Sequence, residues 1–321
     1  MPAPSVANVT LRPDLGTLHE FDLDMQRQNY VGLQIMPRFD VARQSGKFGR
    51  IPIEQLLAAG DERLERAAAT GFSRMEWKFE DESFSTDERG VEEPIDDREA
   101  ELYADYFDAE QVAATRAIER LFAGYERRVL KVAIDQSVSD SRTTAAGTPW
   151  TSINATPRDD VKTASRAIFE RTGMWPNTLV INRYTMQNLQ DCIQIIERLT
   201  SSGAGQSGTA RAINAQALAQ FFDIDRVLVA DAIKTSTGGS IAPLFPTDSA
   251  LLLKAATDND IRTPCFGRTL VYTGVTGDFE GFPESYREES IASTVIRARH
   301  ESDEKVLYPE MAQVIEIGAA D

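Results

Sequence analysis

Between Asp108 and Gln136 the apolar positions Ile118, Leu121, Phe122, Tyr125, Val129, Val132 and Ala133 recur at spacings of three and four. That spacing gathers them on one face of a helix. Asp108 stands where an N-cap belongs, and Gln111 three positions later completes a capping-box pattern. At about 1.5 Å per residue the helix spans roughly 40 Å, the width of a small domain. Gly124 in its middle costs about 1 kcal/mol against alanine, so packing must hold that turn. One apolar stripe on so long a helix predicts a strut. The opposite face, with Arg116, Glu119, Arg120, Arg127 and Lys131, is expected to be polar and outward.

A different period precedes it. From Arg74 to Glu80 the chain alternates strictly, with Met75, Trp77 and Phe79 on one side and Glu76, Lys78 and Glu80 on the other. That is the pattern of a half-buried strand. Residues 36–53 read as a second strand, interrupted at Gly46 and Gly49, and the polar segment between the two carries Arg63, Glu65 and Arg66. The whole predicts a long antiparallel excursion with a charged tip. Such a hairpin has too little core of its own, so it should lie against a neighbour. Residues 1–32 are broken by Pro2, Pro4, Pro13 and Gly16 yet carry Leu18, Phe21, Leu23, Met25 and Tyr30. They read as an arm that docks elsewhere. An acidic connector (Glu92, Glu93, Asp96, Asp97) leads into the helix, and a polar breaker, residues 137–150, follows it.

Beyond the breaker, helices alternate with short apolar strands, the signature of an α/β sheet layer. A helix from Pro157 to Arg171 is started by its proline and stopped by Gly173. Strand Thr178–Asn182, helix Arg183–Asp191, a glycine-rich loop, helix Ile213–Phe222 and strand Arg226–Ala230 follow. A polar loop then precedes strand Ala250–Lys254. The remaining strands, in GRTLVYTG, IASTVIRAR and KVLYPEMAQVIEI, are expected to pack on the long helix.

Composition is that of a globular chain, 42% hydrophobic and 26% charged over 321 residues. The formal charge of −16 repels nucleic-acid phosphates, and no dense basic run offsets it. Acidity fits simple solubility, or a surface that sits near packed polyanion without sticking to it. Arginine far outnumbers lysine, which suits bidentate carboxylate pairing. Cys192 and Cys265 form neither a metal site nor a disulfide framework. No apolar run is long enough to cross a membrane, and the first residues lack the form of a secretion signal.

Candidate chemistry is sparse. Gly203, Gly205 and Gly208 form a literal G-x-G-x-x-G. A dinucleotide site needs the first glycine directly after a buried strand, whereas Glu197 to Ser202 intervene after the apolar run ending at Ile196. The glycines therefore read as a surface or assembly loop, and a nucleotide-binding enzyme remains the alternative of a different class. His19 and His300 are expected in solvent, with no nucleophile elbow nearby. The clusters Glu80–Asp81–Glu82 and Asp258–Asn259–Asp260 lack calcium-loop spacing and read as solvated charge. No cofactor, metal or catalytic residue is expected.

The order of these parts resembles the major capsid protein of tailed bacteriophages, the Hong Kong 97 fold. The local likeness lies in Asn29-Tyr30-Val31 to Val41 with Ser45-Gly46-Lys47-Phe48, and in Arg63 to Ala67 with Ile95-Asp96-Asp97. It continues in Thr178 to Asn182 with Ile195 to Leu199, and in Leu218 to Phe222 with Asp225 to Val229. The resemblance covers nearly the whole chain. It implies an α+β fold with an N-terminal arm (1–32), an extended β-hairpin loop (33–96), a peripheral domain with a spine helix (97–149 and 262–321) and an α/β axial domain (150–261). It implies self-assembly through hexamers and pentamers into an icosahedral shell around double-stranded DNA, in the virion, after assembly in the host cytoplasm. Scaffolding, portal and decoration proteins are the further partners it implies. Lys47, Phe48, Arg63, Arg66, Trp77 and Phe79 become candidate intersubunit contacts, and Gly203, Gly205 and Gly208 a loop facing the capsomer axis. The long helical scaffolding segment with which some members begin is not matched, so scaffolding is expected from elsewhere or is dispensable. Lys47 and Lys78 lie where some members crosslink, but without a matching partner no crosslink is expected. An encapsulin-like nanocompartment is the alternative within the fold.

Overall fold

The computed structural model describes residues 29–50, 52–53, 68, 80–104, 108–137, 142–201, 213–235, 239–260, 263–274 and 283–318. The elements begin with α1 (Gly32–Ile35), β1 (Arg38–Val41), β2 (Ser45–Arg50), β3 (Glu80–Ser85), β4 (Asp87–Asp96), α2 (Asp97–Tyr103) and α3 (Ala109–Ser137). Then come β5 (Thr143–Ala145), α4 (Pro157–Thr172), β6 (Thr178–Asn182), α5 (Arg183–Asp191), α6 (Ile193–Ser201), α7 (Ala215–Phe222) and β7 (Arg226–Ala230). The chain continues through β8 (Ile233–Thr235), β9 (Ile241–Pro243), β10 (Ser249–Leu253), β11 (Gly267–Tyr272), β12 (Glu284–Glu288), β13 (Ser293–Val306) and β14 (Ala312–Glu316). The described residues fall into two compact units, one built from 88–125 and 273–301, the other from 29–87, 126–272 and 302–318.

In the first unit α3 starts where its cap predicts. The Asp108 carboxylate accepts from the N–H groups of Glu110 (3.0 Å) and Gln111 (3.3 Å), satisfying donors that a helix start leaves unpaired. The inner face is lined by small residues. Ala113 packs with Ile95 and Ile296, and Ala117 and Leu121 with Ala298. The stripe is broader than the sequence spacing indicates, because Ala117 and Leu130 are buried and Ile118 only partly so. Glu119, expected on the polar face, is buried as well.

The acidic stretch before α3 is not a connector. Asp87–Asp96 forms β4, paired with β13, and Asp96 caps α2 by accepting from the Arg98 N–H at 2.9 Å. The strand tolerates this charge because arginines face it: Glu88 meets Arg299 at 2.8 Å and Glu93 meets Arg116 at 2.7 Å. β12 runs antiparallel to β13, from Glu284 opposite Arg297 to Glu288 opposite Ser293. His300, expected in solvent, is fully buried on β13 with its ring edge-on to Tyr125 at 6.5 Å.

The second unit holds a five-stranded sheet in the order β5-β14-β10-β6-β7. β6 and β7 are parallel, as are β5 and β14, while β10 runs antiparallel to both neighbours. All five residues of β6 are buried, which is why its sequence is a continuous apolar run rather than an alternation. Helices α4 to α7 supply Val161, Ile168, Leu189, Ile195, Leu218 and Phe222 to the core beside it. Gly173 ends α4 in the left-handed region at φ 68°, donating to the Phe169 carbonyl. Two expectations change. The breaker after α3 contains β5, and β14 joins this sheet instead of packing on the long helix with β13. Four of the five β14 residues are buried, which requires cover on both faces.

Asp160 fixes the start of α4. Its carboxylate is buried and accepts from the Gly147 N–H (3.0 Å) and the Trp150 indole N–H (2.8 Å). Asp160→Ala leaves two buried donors unpaired and is expected to cost about 2–5 kcal/mol in urea unfolding of dissociated protein. Asp160→Asn, which keeps one acceptor, should cost less. A loss below about 1 kcal/mol for the alanine variant would contradict this role.

Candidate functional site

Residues 31–41 run as a strap held at every second or third residue, all within the second unit. Val31 offers no side-chain cap to α1, and the cap comes from α3 instead. The Val31 N–H donates to Glu126 Oε1 at 2.9 Å and the Gly32 N–H to Oε2 at 2.7 Å. Glu126 is completely buried, and burial pushes its pKa up to about 6 against the pull of those two bonds. The Arg226 guanidinium donates to the Gln34 carbonyl and the Thr178 hydroxyl, each at 2.9 Å. Thr269 donates its N–H to Pro37 O (3.0 Å) and its hydroxyl to Met36 O (2.8 Å). β1 then pairs parallel to β11, Arg38 opposite Thr269. A Cβ at Gly267 would meet the Met36 side chain and, at 2.9 Å, the Lys305 carbonyl oxygen. Only glycine permits this approach.

From the strap the chain enters the stem of the expected hairpin. β2 and β3 pair antiparallel from Ser45 opposite Ser85 to Arg50 opposite Glu80, so β2 runs through Gly46 and Gly49 rather than breaking there. The expected solvated cluster Glu80–Asp81–Glu82 has its counter-charges across the ladder and beyond. Arg50 lies 2.9 Å from Glu80, Lys305 lies 2.9 Å from Glu82, and Lys47 lies 4.0 Å from Asp81. Lys47 is exposed, while Phe48 packs beside Ala256, Cys265 and Leu307 of its own chain. The Ser85 N–H donates to Asp303 at 3.1 Å, and burial raises that carboxyl's pKa. Arg63, Arg66, Trp77 and Phe79, and the strand expected over 74–79, lie outside the described residues.

The glycine motif has no dinucleotide context. α6 runs to Ser201, so a helix precedes it, and α7 is started by Asn214, which accepts from the Ala217 N–H. Gly203, Gly205 and Gly208 themselves lie outside the described residues, as does His19. At the carboxyl ends of β6 and β7, where an α/β sheet would seat a ligand, Asn182, Arg183, Tyr184 and Asp231 line a cavity of about 140 Å³ under the β8–β9 hairpin. Ligand pockets hold roughly 300–1,000 Å³, so this one is too small for a dinucleotide.

Other candidate chemistry is engaged within the chain. The Asp258 and Asp260 carbonyls accept from the buried Arg268 guanidinium, which also stands 3.7 Å from the Asp258 carboxylate. The cation beside that acidic cluster is thus an arginine, and no sequence spacing marks it. Both cysteines are buried, and burial raises the pKa of the Cys265 thiol, away from nucleophilic character. Among the described residues no group of three or more His, Cys, Asp or Glu could hold a metal, and no helix is long and apolar enough to cross a membrane.

No family model matches the chain. A protein of Burkholderia phage BcepMu described as a major capsid protein is 25% identical over 207 residues, which are 64% of this chain and 64% of that protein. The chain thus matches a little under two thirds of its curated relative's length. A phage-related protein from Bordetella bronchiseptica RB50 superposes over 97% of this chain and 98% of its own, with a TM-score of 0.67 at 18% identity. The capsid structure of cyanophage P-SCSP1u gives a TM-score of 0.58 at 11% identity, over 89% of this chain and 87% of that one.

Glu126 can be tested in isolation. Glu126→Ala strands two buried N–H donors and is expected to cost about 2–5 kcal/mol by denaturant unfolding. The pH dependence has a definite sign. The folded pKa of about 6 lies above the ordinary 4.5, so the folded state holds the proton more tightly. The resulting stability is fully present below pH 4.5 and is lost as pH rises through about 6, by roughly 2 kcal/mol. Glu126→Gln should flatten that window, and an unchanged slope would refute the assignment.

Proposed function

We propose that this chain, whose fold is the α+β capsid fold of the Hong Kong 97 type, is a major capsid protein that assembles through hexamers and pentamers into an icosahedral shell around double-stranded DNA. The observation that carries the reading is agreement between two independent likenesses. One is a sequence relative described as a phage major capsid protein. The other is superposition on a phage-related protein over nearly the whole of both chains. The role is structural, without catalysis.

In this reading residues 1–32 are the arm, 33–96 the extended loop, 97–149 and 262–321 the peripheral domain around the spine helix, and 150–261 the axial domain. Lys47, Phe48, Arg63, Arg66, Trp77 and Phe79 serve contacts between subunits, and Gly203, Gly205 and Gly208 belong to the loop at the capsomer axis. Support for the extended loop comes from the β2–β3 stem, whose root is tied to its own unit while its strands diverge toward residues 51–79. The charge of −16 suits a container wall, since a wall that bound DNA tightly would hinder packing. Scaffolding, portal and decoration proteins are the further partners, and assembly takes place in the host cytoplasm. A nanocompartment shell is less supported, because the sequence relative is a phage protein. Neighbouring genes for a terminase and portal, rather than a cargo enzyme, would separate the two.

Purified protein is expected to form closed particles or capsomers by size-exclusion chromatography and negative-stain microscopy. A stable compact monomer under every condition tried would sink the proposal. Calorimetric titration with dinucleotides at millimolar concentration is expected to show no binding. Trp77→Asp should impair assembly while leaving the unfolding of the 150–261 region intact. Normal assembly with a destabilised monomer would instead make that apolar face internal core.

A further inference from the structure

Most partly buried arginines here have a carboxylate: Arg128 meets Glu304 at 3.0 Å, Arg297 meets Glu284 at 2.6 Å and Arg299 meets Glu88 at 2.8 Å. Arg142 does not. It stands just before β5, and its carbonyl accepts from the Val314 N–H of β14. Its side chain is partly buried, and its Nε is buried without a hydrogen-bond partner. Its charged neighbour is a second arginine. Arg171, at the end of α4, donates to the Glu310 and Ala312 carbonyls and to Gln313 Oε1 (2.8 Å). Burial lowers the Arg171 pKa, and repulsion from Arg142 lowers it further, outweighing the attraction of Glu310. Glu310 forms no ion pair with either, and its Oε2 is likewise buried without a hydrogen-bond partner.

The cluster therefore carries two guanidinium groups against one unengaged carboxylate, in a partly desolvated place. Like charges left so are costly, and the cost is relieved when an outside carboxylate arrives. We propose that Arg142, with Arg171 behind it, is the seat of a carboxylate from a second copy of this chain. Charge complementarity selects that occupant. With 50 acidic residues against 34 basic ones, copies approach one another as polyanions, and contact is favoured where an unengaged cation waits. Phosphate of the enclosed nucleic acid is the other anion at hand, and the test separates it. Arg is suited to the task because its planar fork binds a carboxylate bidentately. The inference rests on the shell reading above.

The test compares Arg142→Met, Arg142→Glu and wild type in particle assembly, followed by light scattering and negative-stain microscopy without nucleic acid. Dissociated protein is followed in parallel by urea unfolding. Both variants are expected to raise the concentration needed for assembly, Arg142→Glu by at least about tenfold, with unfolding midpoints equal to or above wild type. Wild-type assembly matched by Arg142→Glu overturns the inference and leaves the shell reading standing. A wild type that never assembles overturns both. A dissociated Arg142→Met that unfolds much more easily than wild type makes Arg142 an internal structural group and overturns the inference. Assembly defects that emerge only with DNA present assign the site to phosphate, which overturns it equally.

Discussion

Two backbone hydrogen bonds onto one buried carboxylate set the path of the chain where it enters the second unit. Glu126 receives the N–H groups of Val31 and Gly32, and every later stitch of the strap follows from where those two residues lie. Arg226 reaches Gln34, Thr269 reaches Met36 and Pro37, and β1 finds its register on β11. A carboxylate held at zero exposure is costly, and the two backbone bonds offset part of that cost. Short α1 could not start by itself, because Val31 provides no side-chain cap. The long helix thus does more than bury a stripe. It presents one polar group inward, at the point where the chain must turn toward the hairpin stem.

Much of the architecture was legible because local signals agree with tertiary demand. The Asp108 cap, the Pro157 start and Gly173 stop of α4, and the apolar runs at Thr178–Asn182 and Arg226–Ala230 each name an element whose observed bounds match within a residue or so. The failures share a physical cause. β4 is acidic because its partners are arginines far along the chain, Arg297 and Arg299 among them, and pairing across such separation leaves no local trace. His300, Glu119 and Glu126 are buried polar residues, and from sequence alone a charged side chain on a helix or strand reads as outward. β5 is three residues long, too short for any period to show. Of the residues proposed for contacts between subunits, only Lys47 and Phe48 are described, one exposed and one packed on its own chain.

Electrostatics is organised rather than merely negative. In the first unit Glu284 holds both Arg297 and Arg299, and Arg287 pairs with Asp97 through two bonds. Exposed pairs of this kind add little stability singly. As a network along one sheet they fix strand register and cancel charge where β4, β12 and β13 come together. The excess of acid therefore falls on residues outside these pairs. Such a surface keeps copies soluble and apart until specific contacts form.

The place of β14 has a consequence for how the molecule is made. It fills the second position of the five-stranded sheet, between β5 and β10, although it is the last strand of the chain to be synthesised. β1 likewise waits for β11, whose residues lie more than two hundred positions later. Pairings so distant close slowly, after a large loop entropy has been overcome. At ribosomal speeds of about 5–20 residues per second, both seams stay open until synthesis is nearly done. A subunit whose assembly surfaces depend on these seams becomes competent only once the whole polypeptide exists. Truncated chains then lack the geometry to join a growing shell, and the topology acts as a check on completeness.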